Sequence, residues 1–479
     1  NPLAKDFQPL AGDHAAACKH ADCGEHLIVT GMLEQGRLQE ARDASRVTGI
    51  GNETSFAGFV TVNKSTNGNL FWWYFPHPSP EAPTLVWLQG GPGGPSTFAV
   101  FNEFGPYRLQ PAAGGNFTVL GNPYTITQKY SVIFLDNPVG TGFSYVNPGG
   151  LCTDKTCYGD GIYEATAQLA GIFPAIARNR LYVTGESYAG KYVPMGAYTI
   201  HEANVALAEG GAAAAALKQR LPHALQLNLA GVAIGDGWVD PPTMVTAYPA
   251  INAAFGLASP AQVARTEQYV NNMTAAIKVG QYEKAYAAWD EYMNGDLLPS
   301  GKSFWMNATG VTDYFNILRD ASPAAFNYFS QYLVQPAQRA ALHIGDATMH
   351  PGSAVEKALV PDVMQSVKPE LAVLAAHYDV LVYSGQLDVI IGALLTDAFL
   401  PTMQWPGSQS FAATERVVWH LDGSVAGYAR TGSCPRPSGG TAHFSRVIIR
   451  GAGHIAPWDQ PARVLDMMTR FVDGVFWSG

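Results

Sequence analysis

Leu181-Tyr-Val-Thr-Gly-Glu-Ser-Tyr-Ala-Gly-Lys-Tyr-Val-Pro194 gives the chain its centre of organisation. An apolar, β-branched run from Leu181 to Thr184 meets Gly185, Ser187 and Gly190, and a helical stretch with Ala, Tyr and Met follows as far as Ala203. The pattern predicts strand, sharp turn, helix. A serine at the apex of such a turn holds its Oγ clear of the backbone, and small neighbours let strand and helix pass closely. The pattern G-x-S-x-G ends here on Ala189, with Gly190 one place later, so the stretch alone reads equally well as a Gly-Ser turn between an ordinary strand and helix.

With 479 residues, 47% hydrophobic and 14% charged, the chain has material for a large core and is not disordered. One large domain with an insertion, or two domains, is expected. A net charge of −9 with no basic blocks excludes nucleic acid as the expected partner. No stretch reaches the roughly 18 consecutive apolar residues of a membrane span, and the polar start Asn1-Pro2-Leu3 has no apolar leader, so any signal peptide is expected to be gone already.

Two close cysteine pairs, Cys18/Cys23 and Cys152/Cys157, lie in polar, loop-like sequence. They fit disulfide-closed loops or metal half-sites, but the spacing is not the Cys-x-x-Cys of tetrahedral zinc, which favours disulfides and leaves Cys434 as a sheltered free thiol. N-glycosylation sequons at Asn52, Asn63, Asn116, Asn272 and Asn307 also point to the secretory pathway.

Residues 1–50 read as a polar, helix-prone extension. Alternation between Phe56 and Phe75 predicts an antiparallel hairpin turning at Ser65 to Asn69. Thr84 to Leu88 and Ser131 to Leu135 are buried strands feeding the loops Gln89-Gly-Gly-Pro-Gly-Gly-Pro95 and Asp136-Asn-Pro-Val-Gly-Thr-Gly142. Ala230 to Ile234 is another strand. The stretch 242–345 changes character, with helices over Pro260 to Ile277 and Gln281 to Met293, and reads as an α-helical lid inserted between core segments 51–241 and 346–479. Strands resume at Val380 to Tyr383 and Val447 to Ile449, followed by Asp388 and His454.

A serine hydroxyl needs a base to take its proton and a carboxylate to orient that base. Ser187, Asp388 and His454 each follow a predicted strand, at the edge where α/β sheets place their chemistry, in the chain order nucleophile, acid, base. Singly, His454 reads as a structural histidine and Asp388 as a loop cap; together they predict a triad on an α/β-hydrolase fold, a mixed, mostly parallel sheet flanked by helices. The amide of Tyr188 and one from the Gly90-Gly91 pair are the expected oxyanion donors. The glycine-rich loop fits no phosphate cradle, since no Gly-Lys-Ser/Thr follows it.

Trp87 to Gly94, Glu103 to Pro106, Asp136 to Ser144, Gly185 to Gly190, Gly385 to Asp388, and Gly453-His454 with Pro457, Asp459 and Gln460 resemble the serine carboxypeptidase family over roughly residues 55–471, most like its vitellogenic branch. The resemblance implies Ser187, Asp388 and His454 as triad, Gly91 and Tyr188 as oxyanion donors, and Gln89, Gly90, Glu103 and Glu186 as the site for a substrate's terminal carboxylate. It implies a secreted, vacuolar or lysosomal exopeptidase that cuts C-terminal residues from peptides or proteins through an acyl-enzyme at acidic pH, with no metal or cofactor. A homodimer is compatible with the sequence. Pro95, where most of the family has Ser, removes an N–H beside the oxyanion loop, and the lid lacks the cysteine pair expected near Val311 and Asp320. An acyltransferase using the same triad, and a catalytically idle binding protein on the same scaffold, are the alternatives.

Overall fold

The computed structural model describes residues 23–477. Its strands are β1 (Phe56–Asn63), β2 (Gly68–Phe75), β3 (Thr84–Leu88), β4 (Tyr107–Pro111), β5 (Phe117–Gly121), β6 (Ser131–Leu135), β7 (Leu181–Glu186), β8 (Leu229–Gly235), β9 (Asp379–Gly385), β10 (Val417–Leu421), β11 (Ser424–Pro435) and β12 (Thr441–Ile449). Ten of them form one sheet in the order β1-β2-β6-β3-β7-β8-β9-β12-β11-β10, while β4 and β5 make a separate hairpin. From β6 to β12 every neighbouring pair is parallel; β1 and β2 on one flank, and β11 and β10 on the other, run antiparallel.

The unbroken apolar runs follow from this arrangement. A parallel strand covered by helices on both faces has no solvent side, and β3, β6 and β7 are buried along their whole length. Helices α1 (Lys155–Ile172) and α2 (Ala189–Glu209) pack on one another, and α2 lies against β7 and β8. Pro194 sits inside α2 and is buried with that helix. Residues 23–50 are stitched to the sheet edge: Phe59 donates to the Leu27 carbonyl at 2.8 Å, Val29 donates to Phe59 at 3.0 Å, and Ala57 donates to Ser45 at 2.8 Å.

Between β8 and β9 the chain is helical, with α3 (Pro260–Lys278) and α4 (Tyr282–Trp289), and α5 (Ser353–Val363) closer to β9. Ser259 and Gln262 form a reciprocal capping box at the start of α3. The helical stretch expected over Gln281 to Met293 is present, as α4 to Trp289 and then one wider, π-helical turn over Asp290–Asn294. The Asp290 carboxylate accepts the amides of Asp296 at 2.8 Å and Leu297 at 3.0 Å, an alternative to helical bonding that short acidic side chains offer the backbone. Where cysteines were expected near Val311 and Asp320, Thr312 closes the loop instead, donating from its amide to the Asp320 carbonyl at 3.0 Å and from its hydroxyl at 3.2 Å.

Cys152 and Cys157 are disulfide-bonded, with Cα atoms 5.5 Å apart. The Cys18–Cys23 pairing involves Cys18, which lies outside the described residues. Cys434 is a buried free thiol in β11, its Sγ 3.8 Å from the Ala375 carbonyl. The asparagines of all five sequons are exposed. Among the described residues no helix is long and apolar enough to cross a membrane.

Candidate active site

β7 delivers Ser187 into a left-handed backbone conformation, φ 65°, before α2 begins at Ala189. Such a φ is strained for a non-glycine residue and is held only where the surroundings dictate it. Here they do: the Ser187 amide donates to the Gly235 carbonyl at 2.9 Å, and the Ser187 carbonyl accepts from Gly190 at 2.8 Å and Trp238 at 3.0 Å. A Cβ at Gly190 would lie 2.3 Å from the Trp238 nitrogen, so the shifted glycine of the motif is where the close passage occurs. Ser187 stays half-exposed at the mouth of a cleft lined by Pro92, Tyr188, Trp238, Trp289, Tyr314, Phe315, Ile390 and Ile391, with Asn294 and Glu356 as polar groups.

The elbow is clamped from behind by a buried network. Lys191, on α2, donates to the carbonyls of Asp362 at 2.5 Å and Gln365 at 2.7 Å, and Tyr188 Oη donates to Asp362 Oδ2 at 2.6 Å. Burial lowers the Lys191 ammonium to about 8, opposed by the Asp362 charge.

The glycine-rich loop after β3 lies against this elbow. A Cβ at Gly90 would sit 2.5 Å from both the Ser187 Cβ and the Tyr188 nitrogen, so only glycine admits the contact. Among the described residues, neither the Gly91 nor the Tyr188 amide finds a backbone acceptor. Two neighbouring N–H groups are thus left for a ligand oxygen beside Ser187. The loop does not depend on an N–H at Pro95. Gly94 donates to Gly90 at 2.9 Å, and Ser96 Oγ bridges the Gln89 amide at 3.0 Å to the Leu135 carbonyl at 2.6 Å.

His454 and Asp388 come together from loops after β12 and β9. His454 Nδ1 bonds Asp388 Oδ2 at 2.8 Å, and both residues are fully buried. The other carboxylate oxygen, Asp388 Oδ1, accepts the Ile391 amide at 3.3 Å. Phe315, from the segment between β8 and β9, stacks on the imidazole at 4.8 Å with planes 7° apart, and its carbonyl accepts the His454 amide at 2.6 Å. Asp459 holds the turn before the histidine by accepting the Gly453 amide at 2.7 Å. His454 Nε2 is buried without a hydrogen-bond partner. Burial lowers the imidazole's pKa, opposed by the charges of Asp236, Glu186 and Asp313.

Gln89, Glu103 and Glu186 form a buried cluster behind the elbow. Gln89 Nε2 donates to Glu186 Oε1 at 2.8 Å, and Gln89 Oε1 accepts from Trp87 Nε1 at 3.1 Å. Glu103 Oε1, Glu103 Oε2 and Glu186 Oε2 meet no donor outside the contacts among Gln89, Glu103 and Glu186 themselves. Burial, and then the charge of Glu186, holds Glu103 well above the usual carboxylate range, and burial pushes Glu186 up to about 7. The two carboxyls share a proton in mildly acidic solution.

Asp236, just past β8, was not singled out in the sequence. It sits at φ 44°, fully buried, and one ligand atom each of Asp236, Asp388 and His454 lie within 4.8 Å of one another. By donor type this group could hold a cation, but His454 Nδ1 is already engaged by Asp388. Phe315 was missed too, because a lone lid aromatic carries no local signal of a partner in the core.

The serine carboxypeptidase family model matches residues 47–474. The chain belongs to the serine carboxypeptidase family. It is 39% identical over 466 residues to the human "Probable serine carboxypeptidase CPVL", covering 95% of this chain and 91% of that protein. It is 31% identical over 480 residues to the Aedes aegypti "Vitellogenic carboxypeptidase", covering 98% and 94%. The crystal structure of Kex1Δp, a prohormone-processing carboxypeptidase from Saccharomyces cerevisiae, shares the fold at a TM-score of 0.74 and 17% identity, over 91% of this chain and 97% of that one. The serine carboxypeptidase scaffold thus accounts for the ten-stranded sheet and for the elbow.

Proposed function

We propose that Ser187 is the nucleophile of a serine-type carboxypeptidase, His454 its base, Asp388 the acid that orients the base, and the Gly91 and Tyr188 amides its oxyanion donors. The observation that carries this reading is the pairing of a strained, cleft-facing Ser187 with a buried histidine whose Nδ1 is engaged by Asp388 and whose Nε2 is unpartnered. Ser187 Oγ attacks the carbonyl carbon of the last peptide bond while His454 Nε2 takes its proton. The two amides stabilise the oxyanion, the intermediate collapses to an acyl-enzyme, and the departing amine leaves with that proton. Water then repeats the sequence to release the shortened peptide.

Gln89, Gly90, Glu103 and Glu186 recognise the substrate's terminal carboxylate. The shared proton on the glutamate pair gives it a donor where two free carboxylates would repel the ligand. The glutamate pair loses its proton as pH rises toward about 7, which limits carboxylate binding from above, while protonation of His454 limits the chemistry from below, so the optimum for free acids is acidic. The disulfide and the exposed sequons support a protein of the secretory pathway, secreted, vacuolar or lysosomal. The aromatic-lined cleft takes a bulky apolar side chain on the acyl side of the scissile bond.

Timed mass spectrometry of a peptide library, free and C-terminally amidated, tests the reading. The wild type shortens free peptides one residue at a time from the C-terminus, and Ser187→Ala does not. Internal cleavage, or turnover by Ser187→Ala close to wild type, contradicts it.

A further inference from the structure

We infer that Asp236 is a positioning residue for the triad: it carries a proton and donates it to Asp388, so that Asp388 meets His454 as one hydrogen-bonded carboxylate in a fixed orientation. This rests on the reading of Asp388 as the orienting acid.

The placement of Asp236 is dictated by the strand that leads to Asp388. Its amide donates to the Tyr383 carbonyl of β9 at 2.8 Å, and its Oδ1 accepts the Gly385 amide, at the end of the same strand, at 2.9 Å. The loop after β8 is thus fastened to the segment that turns into Asp388. Asp236 Oδ2 receives no hydrogen bond from any donor and belongs to the cluster in which Asp236, Asp388 and His454 each place an atom within 4.8 Å of the others. Both aspartates are fully buried. Two ionised carboxylates at such separation away from water repel strongly, and one proton between them turns repulsion into a hydrogen bond.

The proton resides on Asp236 because the two carboxyls are not equivalent. Asp388 already accepts N–H groups from Ile391 and His454, which favours its charged form; Asp236 accepts only that of Gly385. Burial and then the Asp388 charge hold Asp236 well above the usual carboxylate range, in agreement with this direction. The other groups facing the cluster are Asp313, Glu186 and Arg319, which act on His454, and the Tyr383 hydroxyl. Arg319 is itself paired with Asp313 at 2.8 Å and Asp459 at 3.4 Å. The Asp236 proton stays in place through the cycle, while the proton from Ser187 travels only to His454 Nε2 and on to the leaving amine.

The test is kcat and KM against pH for an ester substrate, which brings no terminal carboxylate, in wild type, Asp236→Asn and Asp236→Ala. An asparagine amide donates to Asp388 while its oxygen still accepts from Gly385, and it changes no charge if Asp236 is neutral. Asp236→Asn therefore keeps kcat within about threefold of wild type and leaves the acid limb set by His454 in place. Asp236→Ala removes the donor and lowers kcat roughly 10- to 150-fold at nearly unchanged KM, the usual range for a lost hydrogen bond to a buried charge. The inference is overturned if Asp236→Asn loses as much as Asp236→Ala, or if its acid limb moves down by more than about half a pH unit, as removal of a negative charge would require. Should Asp236→Ala not fold, the asparagine profile alone decides. Ser187→Ala and Asp388→Asn run alongside; near-wild-type activity in either points to failure of the triad reading instead.

Discussion

Two buried carboxyl pairs stand by His454, and they are finished differently. In the Glu103/Glu186 pair, three of the four oxygens meet no donor outside the contacts among Gln89, Glu103 and Glu186 themselves. In the Asp236/Asp388 pair only one is left over, and the others accept the amides of Gly385 and Ile391 and the imidazole Nδ1–H. Both pairs lie in the same low-dielectric interior, and burial is the largest cause of the raised pKa in each. The difference lies in what remains unsatisfied. A pair with open acceptors is prepared for something that arrives from outside, whereas a pair closed by backbone donors holds a side chain still. On the proposed reading, the glutamates would govern which substrates bind and the aspartates the reaction itself.

Substitutions at the aspartate pair should affect all substrates alike. Asp388→Asn leaves His454 Nδ1 facing an amide and lowers kcat by about 10⁴-fold for free acids, amides and esters equally; steady-state kinetics on a matched substrate set checks this. A selective loss confined to free acids would erase the distinction. Gly90→Ala pushes a Cβ to within 2.5 Å of the Tyr188 nitrogen and displaces the oxyanion loop. Its cost is roughly 10²- to 10³-fold in kcat for free acids, amides and esters alike, and because Gly90 also belongs to the proposed carboxylate site, KM rises in addition for free acids alone.

Substitutions at the glutamate pair should discriminate. Glu103→Gln with Glu186→Gln raises KM for a free-acid peptide by about tenfold, since a charge-assisted hydrogen bond is replaced by neutral contacts, and leaves kcat for the amidated peptide near wild type. The pair also makes stability pH-dependent. A folded-state pKa above the usual 4.5 means that the folded protein binds more protons than the unfolded chain, so the stabilisation is full below 4.5 and is lost as pH rises toward about 7. Thermal melting is therefore higher in mild acid than at neutral pH, and the double glutamine variant flattens that slope in a melting series.

Both glutamates and Asp388 were legible in the sequence and Asp236 was not, for a physical reason. Glu186 precedes the elbow serine and Glu103 lies in a stretch shared with the family, so both carry a recognisable context. Asp236 sits in Gly235-Asp-Gly237, the composition of any tight turn, and only the parallel register of β8 with β9 carries it to Asp388. The central strands were legible because burial on both faces demands continuous apolar residues, as in β3 and β6. The hairpin β4–β5 and the strands β10 and β11 were not, being half-exposed and mixed in composition. The helix over Gln281 to Met293 was legible, but not its change to a π-helical turn at Asp290. Phe315, from the segment between β8 and β9, packs on His454, a contact that no local pattern announces.

The most direct test of the division of labour is kcat/KM against pH for a matched free-acid and amidated peptide in the wild type. Neutral His454 gives both profiles the same rising acid limb. The free acid alone should then fall as pH passes about 7, where the glutamate pair loses its shared proton and two charges face the substrate's own. The amide, which brings no carboxylate, should hold its plateau. A free-acid profile that keeps rising into alkaline solution, or two profiles that superimpose throughout, would contradict the account.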